Sequence, residues 1–407
     1  MDQKLIESYA DLVVRRGINL QKNKSVAILS GPGTYYFARA LAKAAYRAGA
    51  LHTQIFLDDL DILSERLKYQ DTDQLRENPA FLKSFDYEMC AENWGYIRID
   101  STEDRLDHAP LDREKNQILG TAKRQFSSTR FDKLMRHQLP WCVCCAPGPR
   151  WAKQVLGDEA TEDDMMEVLK PILLLDQGDP IAAWDEHDRK IKERQQKLNS
   201  LHIDSLHFKS PVTDFTIGFD SHSRFIGGSE NLPDSRVFFP NIPSEELFTT
   251  PHMLRADGYI TTTRPVSVLN ARTEEIRLEF KDGKVVDYSA KVGKDVMDAF
   301  FSIDEGTRRI GECALVDETN PIAKSKLVFD SILLDENASC HIALGDAYPS
   351  CLTNGETLTT KEDLHKNGCN TSLMHVDFMV GSKQMQITAK TREGEEVELM
   401  RNGVLVF

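Results

Sequence analysis

Val26-Ala27-Ile28-Leu29 is a short apolar run that ends in Ser30-Gly31-Pro32-Gly33-Thr34; an Ala-rich helical stretch from Phe37 to Ala48 and a further strand near Thr53 to Leu57 follow. Strand, tight turn, helix and strand in that order form a βαβ signature, which requires a parallel sheet covered by helices. Upstream, Leu5, Tyr9, Leu12 and Val13 share one face of an amphipathic helix. Downstream, Gly178-Asp179-Pro180 supplies a helix start, with Asp179 as N-cap and Pro180 at the first helical position. Trp184, Ile191 and Leu198 then recur every seven residues among Asp, Glu, Lys and Arg, so this helix buries one stripe and reads as the connector between two halves.

After Leu201 the texture turns to β. Ile276, Leu278 and Phe280 alternate up to Asp282-Gly283, a hairpin turn, and Val286, Tyr288 and Ala290 alternate on the return. Val397 and Leu399 lead in the same way to Asn402-Gly403, then Val404 and Val406. Helices expected from about Lys294 to Ile303 and near Ser325 to Leu334 make this half α+β. The expected architecture is an α/β domain over 1–201 and an α+β domain with a mixed or antiparallel sheet over 202–407, the latter carrying the chemistry.

The whole chain, 407 residues with 41% apolar and 8% aromatic, is large enough for such cores. Its 50 Lys and Arg against 64 Asp and Glu give a formal charge of −14, and no basic run offsets it, so nucleic acid is a poor partner. Met1 to Leu20 lacks the apolar run of a signal peptide, and no stretch is long enough to span a membrane. A soluble cytoplasmic protein without a membrane partner is expected. The eight cysteines, at 90, 142, 144, 145, 313, 340, 351 and 369, form no dense secreted framework and are expected to be reduced.

Some motifs carry less than they suggest. Cys142 and Cys145 form a CxxC, but Pro147-Gly148-Pro149 follows at once; a redox pair would need a helix opening there, so a buried strand end is the better reading. The Ser30–Thr34 turn could rest a phosphate on helix amides, but it lacks both GxGxxG and the Walker Lys. His187, His207 and His222 stand without partners at ligand spacing, and neither HExxH nor GxSxG occurs.

Charge where a strand pattern calls for apolar residues is more telling. In Ile310-Gly311-Glu312-Cys313-Ala314-Leu315-Val316, alternation puts Glu312 on a side with Ile310, Ala314 and Val316, and a carboxylate buried there needs a cation or a hydrogen-bond network. His375 and Asp377 share one face of the apolar run from Leu373 to Val380; a His–Asp hydrogen bond in the core would explain that pair alone. Glu336 and His341 interrupt the segment from Asp335 to Gly345, followed by Tyr348, and Glu245-Glu246 interrupts Ile242–Phe248. Adjacent carboxylates in a turn are ordinarily solvated, so Glu246 is weak by itself. Together the segments offer carboxylates and imidazoles with no Lys or Arg inside the motifs. That donor set suits two divalent ions such as Zn²⁺, Co²⁺ or Mn²⁺, and amide hydrolysis follows from it.

At these residues the chain resembles the aminopeptidase T and aminopeptidase S type of metal-dependent aminopeptidase, over nearly its whole length. The resemblance is carried by NIPSEELFTTP from Asn241, DGYITTTRP from Asp257, GECALV from Gly311, DENASCHIALGDAY from Asp335 and NTSLMHVDFMVGS from Asn370, with DPIAAWDEH from Asp179 and AYRAGA from Ala45 in the first half. It implies metal ligands at Glu246, Glu312, His341, His375 and Asp377, with Glu312 bridging. It also implies an acidic position at Glu336, either ligand or general base, and an active-site tyrosine at Tyr348. Two divalent ions per chain (Zn, Co, Mn or Mg), a metal-activated water, peptide substrates with a free N-terminus and a homodimer follow as expectations. Ser244 departs mildly, standing where Thr is common. The competing reading is a nucleotide- or ligand-binding α/β protein whose polar clusters are structural.

Overall fold

Helix α1 (Gln3–Leu12) opens the chain in a computed structural model that describes residues 2–106, 111–269 and 271–407. By its contacts the chain divides into two units, Met1–Asp185 with Ser229–Pro243, and Glu186–Gly228 with Ser244–Phe407.

In the first unit, β1 (Val26–Ser30) pairs in parallel with β2 (Thr53–Leu57) and β3 (Gly95–Ile99), and the sheet continues through β4 (Trp141–Cys144) and β5 (Asn241–Ile242), all parallel. The order β2-β1-β3-β4-β5 is that of an open doubly wound sheet. Helix α2 (Tyr35–Arg47) buries Phe37, Leu41, Ala44 and Ala45, the one-sided stripe that a helix laid on a sheet requires. The expected βαβ unit is thus present, with the helix starting two residues earlier than its apolar residues suggest.

The sequence reading placed one boundary after Leu201, whereas β5 belongs to the first sheet and is held there by the Val143 N–H donating to the Pro240 carbonyl at 2.7 Å. The division also falls within the connector helix, whose expected stripe is buried at Trp184, Ile191 and Leu198.

The second unit contains two large antiparallel sheets, besides a two-stranded one of residues 266–268 and 271–273. The larger has eight strands, in the order 284–289, 277–281, 256–261, 213–218, 203–210, 386–391, 396–401 and 404–405. The smaller has four: β6 (Leu247–Thr249), β7 (Ile310–Leu315), β8 (His341–Gly345) and β9 (His375–Met379), each antiparallel to the next. One core joins them, with Leu206, Phe215 and Leu278 from the larger sheet and Cys313, Ile342, Leu344 and Phe378 from the smaller. Burying a side chain such as Phe378 contributes about 1.5–3 kcal/mol. Because alternate residues point to opposite faces, this core turns Glu312, His341, His375 and Asp377 onto the other face of the smaller sheet.

Three details differ from the alternation read in the sequence. Ile310 packs in the shared core with Cys313 and Leu315, not beside Glu312, because the register slips between Ile310 and Glu312 and the bulge turns one residue over. The hairpin at Asp282-Gly283 forms, but a second slip leaves Val286 exposed while Val285 is buried. The helix expected near Ser325 to Leu334 is instead a helix ending at Ser325 and a short turn at Ile332–Asp335. Lys326 between them has φ +59°, which terminates a right-handed helix.

Candidate metal centre

The smaller sheet builds its polar face from paired strands. Glu312 on β7 lies across from Ala343 on β8, Ala343 from Asp377 on β9, and Gly345 from His375. Glu246 immediately precedes β6, which pairs with β7. Two glycines permit the fit: a Cβ on Gly311 would meet the carbonyl oxygens of Asp346 and Gly345 at 2.4 and 2.6 Å, and one on Gly345, at φ +114°, would meet that of Met374 at 2.0 Å.

The resulting distances are short. His341 Nε2 stands 3.3 Å from Glu246 Oε2 and 3.8 Å from Glu312 Oε1, and His375 Nε2 stands 3.2 Å from Glu312 Oε2 and 3.4 Å from Asp377 Oδ1. Two groups of potential ligand atoms, Glu246/Glu312/His341 and Glu312/His375/Asp377, each lie within 4.8 Å of one another. They share Glu312. Glu246, Glu312 and His341 are buried and the other two nearly so, so the adjacent carboxylates at 245–246 are not the solvated turn that their type suggests.

Both imidazoles are oriented from behind. His375 Nδ1 lies 2.7 Å from the Asp346 carbonyl and His341 Nδ1 lies 3.3 Å from that of Ser339. A carbonyl only accepts, so each Nδ1 carries the hydrogen and each Nε2 faces carboxylate oxygens. An Nε2 lone pair aimed at anions is repelled unless a proton or a metal cation lies between. In the absence of metal the proton is favoured: burial pulls both histidine pKa values down, but bonding and charge from the carboxylates outweigh it and hold them well above the ordinary value. Burial and neighbouring acids raise Glu246. Asp377 is lowered, since the charge of His375 overcomes burial.

The donor set fits metal. Among the described ion pairs the carboxylates of Glu246, Glu312 and Asp377 face only histidine, and Asp377 Oδ1 is buried without a well-formed hydrogen bond, with His375 Nε2 at 3.4 Å. An orphaned carboxylate oxygen inside a protein is costly unless a cation meets it.

Glu336, in the turn before β8, lies outside both ligand groups. It is close enough that, after burial, the charges of Glu246 and Asp377 push its carboxyl well above the usual range. Tyr348 sets its hydroxyl 3.4 Å from His375 Nε2 and packs against Phe248. Burial, then the surrounding carboxylates, keep its phenol protonated far above the ordinary value.

Sequence reasoning missed the supports. Asn337 Oδ1 accepts the Glu245 N–H at 2.6 Å, and Asp335 accepts the amides of Phe329 and Ser331, fixing the turn that carries Glu336. His187, which has no partner at ligand spacing in the sequence, lies 2.9 Å from the Ser244 carbonyl and 3.7 Å from Glu245. The carbonyls of Asp346 and Ser339 could not have been found, because main-chain atoms leave no residue-type signal.

The remaining motifs lie in the first unit. Cys142 and Cys145 are buried, burial pushes the Cys145 thiol up to about 12, and all eight cysteines are unpaired. At the Ser30–Thr34 turn the Gly33 N–H donates to Asp104 Oδ1 at 2.8 Å. Glu103 accepts the N–H groups of Arg150 and Trp151 at 3.2 and 2.8 Å. One amide of that turn, and two at the start of the helix Pro149–Leu156, are thus engaged by the chain's own carboxylates.

A sheet face of clustered acids and imidazoles is the equipment of a metal-dependent hydrolase, and comparison with known proteins agrees. The family model described as thermophilic metalloprotease (M29) matches residues 2–405, and the chain belongs to that family. It is 32% identical to "Aminopeptidase 2" of Geobacillus stearothermophilus, over all of this chain and 98% of that one. It is 33% identical to "Aminopeptidase PepS" of Streptococcus thermophilus, over 98% of this chain and 97% of the relative. The solved structure "Wild-type AmpT from Thermus thermophilus" matches with a TM-score of 0.91 and 32% identity, covering 100% of both chains.

Proposed function

We propose that this chain is a dinuclear metal-dependent aminopeptidase, hydrolysing the first peptide bond of peptides with a free N-terminus. The observation that carries the reading is the division of Glu312, whose Oε1 faces His341 and whose Oε2 faces His375. One carboxylate serving two ligand groups is what a pair of ions needs. Charge supports two: when both imidazoles are neutral, as metal ligands must be, the four carboxylates Glu246, Glu312, Glu336 and Asp377 in their ionised form are balanced by two divalent ions. Glu246 and His341 would hold one ion, His375 and Asp377 the other, and Glu312 both.

Divalent ions such as Zn, Co, Mn or Mg would supply Lewis acidity there, acidifying water and polarising a peptide carbonyl. The chain's own groups do the rest. Glu336, with its raised pKa, is suited to take a proton from water and return it to the departing amine, if it is not itself a ligand. Tyr348 keeps its proton and can donate a hydrogen bond to the oxygen on which charge develops. The buried carboxylates offer acceptors for a substrate ammonium.

The relatives' names support the exopeptidase assignment. The eight unpaired thiols fit a reducing cytoplasm, and a homodimer is included on the family resemblance; no described helix is long and apolar enough to cross a membrane. The test is cleavage of an aminoacyl anilide. Chelation should abolish it, divalent ions should restore it, and an N-acetylated analogue should be refused; turnover of the acetylated compound would make the enzyme an endopeptidase.

A further inference from the structure

The second unit also holds a cavity of about 490 Å³, walled in part by Met253, Arg309, Lys361, His365, Thr371 and Leu373. That volume is within the range of small-ligand pockets. Asp304 and Glu305 reach the same cavity, but both are engaged. Asp304 accepts from Ser372 Oγ at 2.9 Å and from the N–H groups of Leu373 and Thr307 at 2.7 and 3.0 Å, and Glu305 pairs with Lys284 at 2.9 Å.

The cations are less engaged. Arg309 donates from Nη1 to the Met253 carbonyl at 3.1 Å, and among the described residues no carboxylate stands within 4.0 Å of the charged nitrogens of Arg309 or Lys361. His365 bonds Thr371 Oγ1 at 2.8 Å. Its pKa is lowered by burial and then by Lys361 and Arg309, which places the three basic groups around one space. Leu373, 71% exposed, adds an apolar flank.

The cavity wall adjoins the strands that carry the metal face, and no metal-facing side chain is among its lining residues. Leu373 precedes His375 by two residues, and the Arg309 carbonyl accepts the N–H of Gly345, the residue opposite His375. Asn370 ties both sides, donating to the carbonyls of Gly345 at 2.6 Å and Gly306 at 2.9 Å. Two residues on, His375 lies at most about 7 Å from Leu373 along the backbone, within the span from the first carbonyl of a tripeptide to its terminal carboxylate.

We propose that this cavity is an anion subsite for the α-carboxylate of a short peptide, with Arg309 and Lys361 as its countercharges and Met253 and Leu373 against the last side chain. The proposal rests on the aminopeptidase reading and narrows its substrates to short peptides with a free C-terminus. A free phosphate-type anion shares this chemistry and is separated by the test.

The experiment compares leucyl-glycyl-glycine, its C-terminal amide and leucine anilide as substrates of the metal-loaded enzyme. The amide should show a KM about tenfold above that of the acid, the weight of one charge-assisted hydrogen bond, with similar kcat. In Arg309→Gln and in Lys361→Ala the acid's KM should rise until the gap is about twofold or less. Lys361 is exposed, so its variant keeps the test sound should the arginine variant misfold. Inorganic phosphate should compete with the acid far better than with the amide. Equal KM values in the wild type, or a gap that survives both substitutions, would overturn the subsite. Phosphate acting equally on all three substrates without such a gap would place its action at the metal centre and overturn the subsite. Failure of the wild type to cleave the anilide would sink the aminopeptidase reading instead.

Discussion

Glu312 Oε2 lies 3.2 Å from His375 Nε2, although the ring's other nitrogen is already committed to the Asp346 carbonyl. Held so close, with no Lys or Arg among their ion-pair partners in the described residues, a carboxylate and an imidazole would share a cation under the proposed function. Glu312→Gln keeps the shape and removes the charge. It should lose bound metal and activity together, by at least the factor of about 10–100 seen when only an outer-shell partner is removed. Metal analysis and anilide turnover on the same preparation check this; retention of both rejects the shared role.

Tyr348 approaches the same ring with its hydroxyl at 3.4 Å yet belongs to neither ligand group. Tyr348→Phe should therefore leave metal content unchanged and lower kcat by about 10²–10³, the effect of removing one oxyanion donor, with little change in KM. A fall in metal content instead would recast the tyrosine as a ligand support.

Gly311 occupies the bulge that turns Glu312 away from Ile310. Since a Cβ there would press on two main-chain oxygens, Gly311→Ala should destabilise the fold by about 1–3 kcal/mol and weaken metal binding as β7 shifts. Urea unfolding and metal titration measure both; wild-type values in each would show that the close approach is not needed.

The same bulge marks the limit of what the sequence discloses. Alternation alone located Glu312, His375 and Asp377 as charges in apolar strands, and the βαβ segment around Val26 disclosed a parallel sheet. A register slip has no such signature: Gly311 looks like any strand glycine until Asp346 and Gly345 are placed against it. Nor could local pattern show that Asn241–Ile242 joins the first sheet, since a two-residue strand has no period. Glu246 was only a weak signal by pattern and was singled out as a ligand position by resemblance, because its burial depends on strands far away in sequence.

Away from the centre, Arg255 grips Asp204 through Nη1 and Nη2 at 3.1 and 2.7 Å. That hydrogen bonding holds the Asp204 carboxyl below its ordinary value despite burial. The unfolded chain, with an aspartate pKa of about 3.9, takes up the proton first, so the pair's contribution is complete above that value and fades as pH falls through the lower folded one. Asp204→Asn should lose roughly 1 kcal/mol near neutral pH, and the difference in urea midpoint should shrink on acidification. A difference independent of pH would assign the loss to packing.

The central claim is that one sheet face cages two cations with Glu312 between them. Anomalous scattering from crystals soaked in zinc or cobalt locates the ions directly. Two peaks about 3.5–4 Å apart are expected, one touching Glu246 and His341, the other His375 and Asp377, with Glu312 reaching both. A fully soaked crystal with no peak among these residues, or with its metal bound elsewhere, would contradict the account.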